Sequence, residues 1–259
     1  MLTKTRAVVL KSFKYGEQSY IVDMFTLECG RVSFIVKIPK SSRCKLKKQF
    51  FQPATLLDIS FDYRTRLSLQ KLKDANIAFP YISLVHEPFK LSIVLFLCEF
   101  LVYATKSEQR NTPLYNYIEM GLRWLDGALD NYSNFHIVFM AHLTLFLGFY
   151  PNLEDEGKFF DLQSGCFVEV RPFHQNYLDE EESMRLRKLL RMDYPTMHLF
   201  VMSRQQRQRC IEVILRFYQL HVPDFPELKS LDVLRELFSW NEEWFPQVSD
   251  LDFEVELIV

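Results

Sequence analysis

Residues 30–53 read GRVSFIVKIPKSSRCKLKKQFFQP. In the first half Val32, Phe34, Val36 and Ile38 alternate with Arg31, Ser33, Ile35 and Lys37. A period of two with one apolar face is the signature of a half-buried strand. The second half is a loop carrying Lys37, Lys40, Arg43, Lys45, Lys47 and Lys48 with no acidic residue among them. A strand that runs into such a loop sets the reading of its surroundings. Leu57, Ile59, Phe61 and Tyr63 repeat the alternation against Asp58, Ser60 and Asp62. Ala7–Phe13 and Ser19–Thr26 are two earlier strand candidates, joined through Lys14-Tyr15-Gly16-Glu17, and Leu67–Leu72 is a fifth. Five short strands must bury one face and hide their edges, which a small closed barrel does. The alternation itself does not choose between an SH3-like barrel and an OB topology.

Beyond Pro80 the period changes to that of helices. Glu87–Thr105 is apolar on most sides and is expected to be central; it is short for a membrane span and holds Lys90, Ser92 and Glu99. Thr112-Pro113 is read as an N-cap with proline at the first helical position, opening a helix to about Leu129. Asn134–Leu147 ends near Gly148. Acids at 179–182 open a helix to about Met192, and Ser203 with Gln206 forms a capping box for a helix to about His221. Ser230 is expected to cap a last helix to about Phe238. Residues 154–172 look irregular, with room for one hairpin. The expected fold class is therefore α+β: a β-barrel over 1–80, an all-α helical domain over 81–238, and an acidic, strand-patterned tail over 239–259.

The net charge of -2 conceals an asymmetry. Residues 1–80 hold 15 Lys+Arg and 6 Asp+Glu, so 15 − 6 = +9, and the remainder holds 16 and 27, so 16 − 27 = −11. A basic part joined to an acidic part points to a polyanion meeting the first and not the second. The loop lysines and arginines named above are the DNA-binding candidates, with Ser41 and Ser42 as further phosphate donors and Arg64 and Arg66 extending the groove from a later turn. Cations at that density bind phosphate backbones by releasing counterions, without reading sequence. Among Phe13, Tyr15, Tyr20 and Phe34, core packing is the expected role, with Tyr15 in its turn the exception. On the Ser203–His221 helix Arg209 and Arg216 are seven apart and share a face, with Arg204 and Arg207 at its start; such a face suits an acidic peptide with an aromatic end.

Enzyme chemistry finds little footing. The chain has no G-x-G-x-x-G, P-loop or G-x-S-x-G, and its histidines have no ligand-spaced partners. The five cysteines are scattered, without a C-x-x-C pair, as expected of free thiols in the cytoplasm, and the N-terminus has no secretory h-region. No catalytic residue, cofactor or metal is expected.

Tyr15-Gly16-Glu17, Ile21-Val22, Phe25-Thr26 and Gly30-Arg31-Val32, then the basic loop running into Gln52-Pro53, resemble the motifs of the RecO family of bacterial DNA repair proteins. Leu147-Gly148-Phe149 and Leu228-Lys229-Ser230 resemble its later signatures, so that the likeness covers about residues 1–238. The resemblance implies an OB-fold barrel, binding of single- and double-stranded DNA, strand annealing, and help in loading RecA on DNA coated by single-stranded-DNA-binding protein (SSB) in the RecF pathway. It implies RecR and the SSB C-terminal tail as partners, association with the nucleoid during repair, and Arg216 and Lys229 as the closest fits to tail-binding positions. Two departures stand out: Ile38 replaces the usual glycine after the first loop lysine, and residues 154–172 keep only Cys166 of a four-cysteine zinc module found in many members, so no zinc is expected. A protein-interaction adaptor that grips an acidic partner with its basic barrel is the rival reading.

Overall fold

The computed structural model describes residues 2–38, 46–154 and 156–240, with side chains to residue 236. Lys40, Arg43 and Lys45 of the basic loop, and the tail from residue 241, lie outside the described residues.

Five strands form the first part: β1 (Leu2–Lys14), β2 (Ser19–Thr26), β3 (Gly30–Lys37), β4 (Leu56–Asp62) and β5 (Leu69–Phe79). They close in the order β1-β2-β3-β5-β4, with β4 returning to β1. All neighbours are antiparallel except β3 and β5. This order, with a long first strand shared by both halves and one parallel junction, is the OB-fold. β1 and β5 run well past the expected Ala7–Phe13 and Leu67–Leu72 limits. β1 does so because its first half pairs with β4 (Arg6 opposite Asp58) and its second half with β2 (Phe13 opposite Ile21).

Between residues 7 and 10 β1 is buried on both faces. Ala7 and Val9 point into the barrel with Met24, Phe34 and Leu57, whereas Val8 and Leu10 join Phe25 and Leu56 beneath the first helix. Val8, Val9 and Leu10 are at most 2% exposed, each contributing about 2 kcal/mol of transfer free energy. A bulge between Val9 and Lys11 then resets the alternation.

The helical part comprises α1 (Pro88–Ala104), α2 (Thr112–Gly127), α3 (Phe135–Leu147), α4 (Glu180–Leu190), α5 (Arg204–His221) and α6 (Ser230–Trp240). Segment 154–178 supplies the expected hairpin, β6 (Phe159–Asp161) with β7 (Cys166–Val168), and a third short strand, β8 (Tyr177–Leu178), on its other side. Phe160, Phe167 and Leu178 bury this small sheet against α4, and the Arg187 guanidinium lies 3.6 Å from the Phe167 ring centroid.

Two cap assignments are corrected. Asn111, not Thr112, is the N-cap of α2: its side-chain oxygen accepts from Leu114 N–H at 3.1 Å, and its amide donates to the Phe146 carbonyl at the end of α3. The amide does both through separate atoms, its oxygen accepting and its nitrogen donating, and so reaches two partners that lie apart. Ser230 begins α6, but its hydroxyl donates to Glu99 of α1, whose carboxylate also accepts the backbone N–H groups of Lys229 and Ser230. Glu99 thus supplies from another helix the anion that the start of α6 needs.

The barrel docks through Gly30 and Arg31. Gly30 sits at φ +67° with a would-be Cβ 2.2 Å from the Gln109 carbonyl oxygen, so only glycine fits, and Arg31 N–H donates to the Glu108 carbonyl. Beside this contact Glu119 of α2 bonds both Arg6 of β1 and Arg123. The 80–87 linker is pinned by Asp126. Its carboxylate accepts N–H bonds from Ile82, Ser83 and Leu84, while buried Lys90 donates to Ser83 Oγ and the Ala128 carbonyl. Burial alone would raise the Asp126 pKa, yet these three N–H donors and Lys90 hold it below the ordinary carboxylate value.

Asp126→Ala leaves these donors unsatisfied and is expected to cost about 3 kcal/mol at pH 7. Because the folded pKa is depressed, the contribution is fully present above the unfolded value, near about pH 4, and fades as the pH falls through the folded value. Urea unfolding of wild type and variant from pH 7 downward should show the gap constant to about pH 5 and shrinking below pH 4.

Candidate nucleic-acid interface

The outer surface of β1, β2 and β3 follows from their register. After the bulge, Lys11 and Phe13 point outward. Phe13 stands opposite Ile21, Ile21 opposite Ile35, and Ile35 opposite Lys71 of β5. Two residues to either side, on the same face, Lys11 stands opposite Asp23 and Ser19 opposite Lys37. Phe13 is 43% and Tyr15 57% exposed. Exposure of Tyr15 was expected from its turn; Phe13 was read as core, and the bulge is the reason it is not. Without the extra residue, the β1 alternation would have carried Phe13 inward. Phe34 is core as expected, edge-on to Phe61 at 4.8 Å, and Tyr20 is half-buried with Lys48 Nζ 6.0 Å from its ring.

Each described basic candidate on the barrel is exposed. Lys37 ends β3, Lys47 precedes and Lys48 begins a 3₁₀ turn over Lys48–Phe51 that plugs the barrel end with buried Phe51. Arg64 and Arg66 lie in the β4–β5 turn. That turn is built on Gln70, which local periodicity does not mark. Buried Gln70 accepts from Arg64 N–H at 3.0 Å and donates to the carbonyls of Arg64 (2.9 Å) and Leu67 (2.6 Å). A glutamine amide can template a loop in this way because it offers donor and acceptor together. An inward-facing polar residue at the start of a strand was the available signal.

The barrel candidates differ in their pairing from several arginines of the helical part. Lys11, Lys14, Lys37, Lys47, Lys48, Arg64 and Arg66 form no ion pair with a described residue. Only Lys73 with Asp62, Arg6 with Glu119 and Arg31 with Asp23 do so on the strands. In the helical part Arg123, Arg185, Arg209 and Arg235 all face carboxylates at 2.5–3.0 Å.

The three candidate tail-binding residues are not gathered at one place. Arg209 and Arg216 do share one side of α5, where Arg209 is held by Glu182 and Arg216 by the Asn176 side chain at 2.9 Å. Lys229 lies at the α1–α6 junction. A different feature emerges between α3, α5 and α6: a small apolar cleft lined by His136, Ile211 and Leu234 together with Arg204, Arg207 and Arg235. Burial, with the Arg207 charge nearby, pushes the His136 pKa down to about 3, so the cleft floor is neutral. Among the described residues no cluster of three or more His, Cys, Asp or Glu could hold a metal ion, and no helix is long and apolar enough to cross a membrane.

Comparison with known proteins agrees along the whole of this architecture. Residues 1–81 match the family described as Recombination protein O N terminal, and residues 85–232 match Recombination protein O C terminal. The chain belongs to the RecO family. It is 48% identical over 241 residues to the DNA repair protein RecO of Phocaeicola vulgatus and 46% identical to that of Bacteroides fragilis, covering 92% of this chain and 100% of each relative. The Flavobacterium psychrophilum protein of the same name is 34% identical with the same coverage. DNA repair and recombination are thus the setting in which this RecO barrel and its cations are to be read.

Gln70→Leu is expected to keep the barrel folded while releasing the 64–67 turn, at a cost of about 1–3 kcal/mol. Amide hydrogen exchange at Arg64 should accelerate at least tenfold, about 1.4 kcal/mol of local opening, with exchange in β2 and β3 little changed.

Proposed function

We propose that this RecO-family chain is a recombination mediator that binds single- and double-stranded DNA through its barrel, anneals complementary strands and assists RecA loading on SSB-coated DNA in the RecF pathway. The observation that carries the reading is the group of exposed barrel cations, Lys37, Lys47, Lys48, Arg64 and Arg66, that have no carboxylate partner among the described residues. An unneutralised cation gains more from a phosphate than one already paired, because nothing has to be broken first. Lys37, Lys47, Lys48, Arg64 and Arg66 are the described contributors, and Lys40, Arg43 and Lys45 belong to the same assignment by sequence. Annealing then needs no bond-making group: neutralising phosphates on two strands removes the repulsion that keeps complementary sequences apart.

The helical part is assigned to partner proteins, the SSB tail and RecR. For an acidic peptide with an aromatic end, the α3–α5–α6 cleft offers an apolar floor and an arginine border in one place. Arg216 and Lys229 can add longer-range attraction, whereas Arg209 is already committed to Glu182.

Lys37→Glu/Lys47→Glu/Lys48→Glu should lower annealing of complementary oligonucleotides at least tenfold and flatten the dependence of DNA affinity on salt, with unfolding midpoint unchanged. Undiminished annealing would remove the barrel assignment and bring forward the adaptor reading. In a separate titration with an SSB tail peptide, Arg204→Glu should weaken binding at least fivefold and leave naked-DNA affinity alone. A loss confined to Arg216→Glu would move the site to the other side of α5.

A further inference from the structure

Resting on the DNA-binding reading, we infer that the outward row Phe13–Ile21–Ile35 is a base-stacking strip, which makes an unpaired DNA strand the preferred ligand of this face of the barrel. Three observations converge on it. The register sets the three apolar side chains side by side across three strands, although the outward face of a barrel with a filled interior has no packing need for them. Phe13 is 43% exposed, Ile21 and Ile35 are half-buried beside it, and the neighbouring Tyr15, in a turn where Gly16 takes φ +76°, is more exposed than Phe13. Cations border the strip: Lys71 continues the row beyond Ile35, Lys37 lies two residues along β3 on the same face, and Lys11 sits with Nζ 5.9 Å from the Phe13 ring centroid.

A strip of this width with lysines along its border has a specific chemical meaning. Duplex DNA presents phosphates and groove edges and keeps its base faces stacked inside, so it can use the lysines but not the strip. An unpaired strand can use both, its bases lying on the aromatic and aliphatic groups while its phosphates reach the cations. Every base has a π-face, so the strip discriminates pairing state and not sequence. Asp23, which would repel phosphate in the adjacent row, is neutralised by Arg31 at 3.0 Å and bonded by Ser33 Oγ.

The test compares wild type, Phe13→Ala, Phe13→Tyr and Phe13→Trp on a fluorescent oligothymidylate and on a duplex of equal length. Phe13→Ala should weaken oligothymidylate binding at least tenfold with duplex affinity and the salt slope unchanged. Phe13→Tyr should restore it, since the stacking ring is retained. In Phe13→Trp, the emission added over wild type should be quenched by oligothymidylate and not by duplex. Unchanged single-strand affinity in Phe13→Ala, an equal loss on both ligands, or a Trp signal indifferent to the single strand would each overturn the strip. If wild type itself bound neither ligand at low salt, the DNA-binding reading beneath would fall with it, an outcome distinct from the other three.

Discussion

The architecture turns on the double burial of β1 between Ala7 and Leu10. One strand face closes the barrel and the other forms the seat of α1, so a single segment joins two cores. This double duty explains why β1 is long, why it pairs with both β2 and β4, and why its sequence, Ala-Val-Val-Leu, is continuously apolar where the other strands alternate. It also explains the bulge. A strand cannot go on burying both faces once it passes the edge of α1, and the extra residue after Val9 lets the alternation restart with Lys11 and Phe13 facing outward. The exposed face of the barrel is in this sense a consequence of how the barrel attaches to the helices.

The junction is reinforced by polar contacts that only a fixed geometry can satisfy. Glu119 holds two arginines, Asp126 three backbone N–H groups, and Glu99 the first turn of α6. Apart from Arg123, which lies one turn along α2 from Glu119, the carboxylates and their donors come from segments distant in sequence. Left unsatisfied, any of them would carry a desolvation cost of about 1–3 kcal/mol, so they specify how the parts fit together as well as adding to stability.

Period and turn chemistry made most of the elements legible beforehand. Strands β2 and β3, helices α1, α3 and α5, the capping box at Ser203 and the left-handed stop at Gly148 all follow from local signals that tertiary structure did not override. The misses have one physical character. Phe13, Asn111, Ser230 and Gln70 owe their roles to neighbours remote in the chain or to a one-residue shift in register, and neither leaves a mark in local periodicity. The density of basic residues was readable because it is a matter of composition, whereas their exposure had to come from the fold. The arginine-bordered cleft was not readable, because Leu234 and Arg235 come to Ile211 only through the packing of α6 beside α5.

The placement of charge completes the account. In the helical part Arg123, Arg185, Arg209 and Arg235 are spent on carboxylates, whereas Arg204 and Arg216 bond neutral oxygens and keep their charge for a partner. On the barrel Asp23 is matched to Arg31 and Asp62 to Lys73, and Lys11, Lys14, Lys37, Lys47 and Lys48 have no ion-pair partner among the described residues. Leaving like charges exposed together costs stability through repulsion, screened over about 8 Å at physiological salt. A small barrel can tolerate that cost because its fold is secured elsewhere, by the shared apolar core that β1 carries between barrel and helices. The same strand that anchors the barrel therefore permits its surface to remain unneutralised and ready for a polyanion.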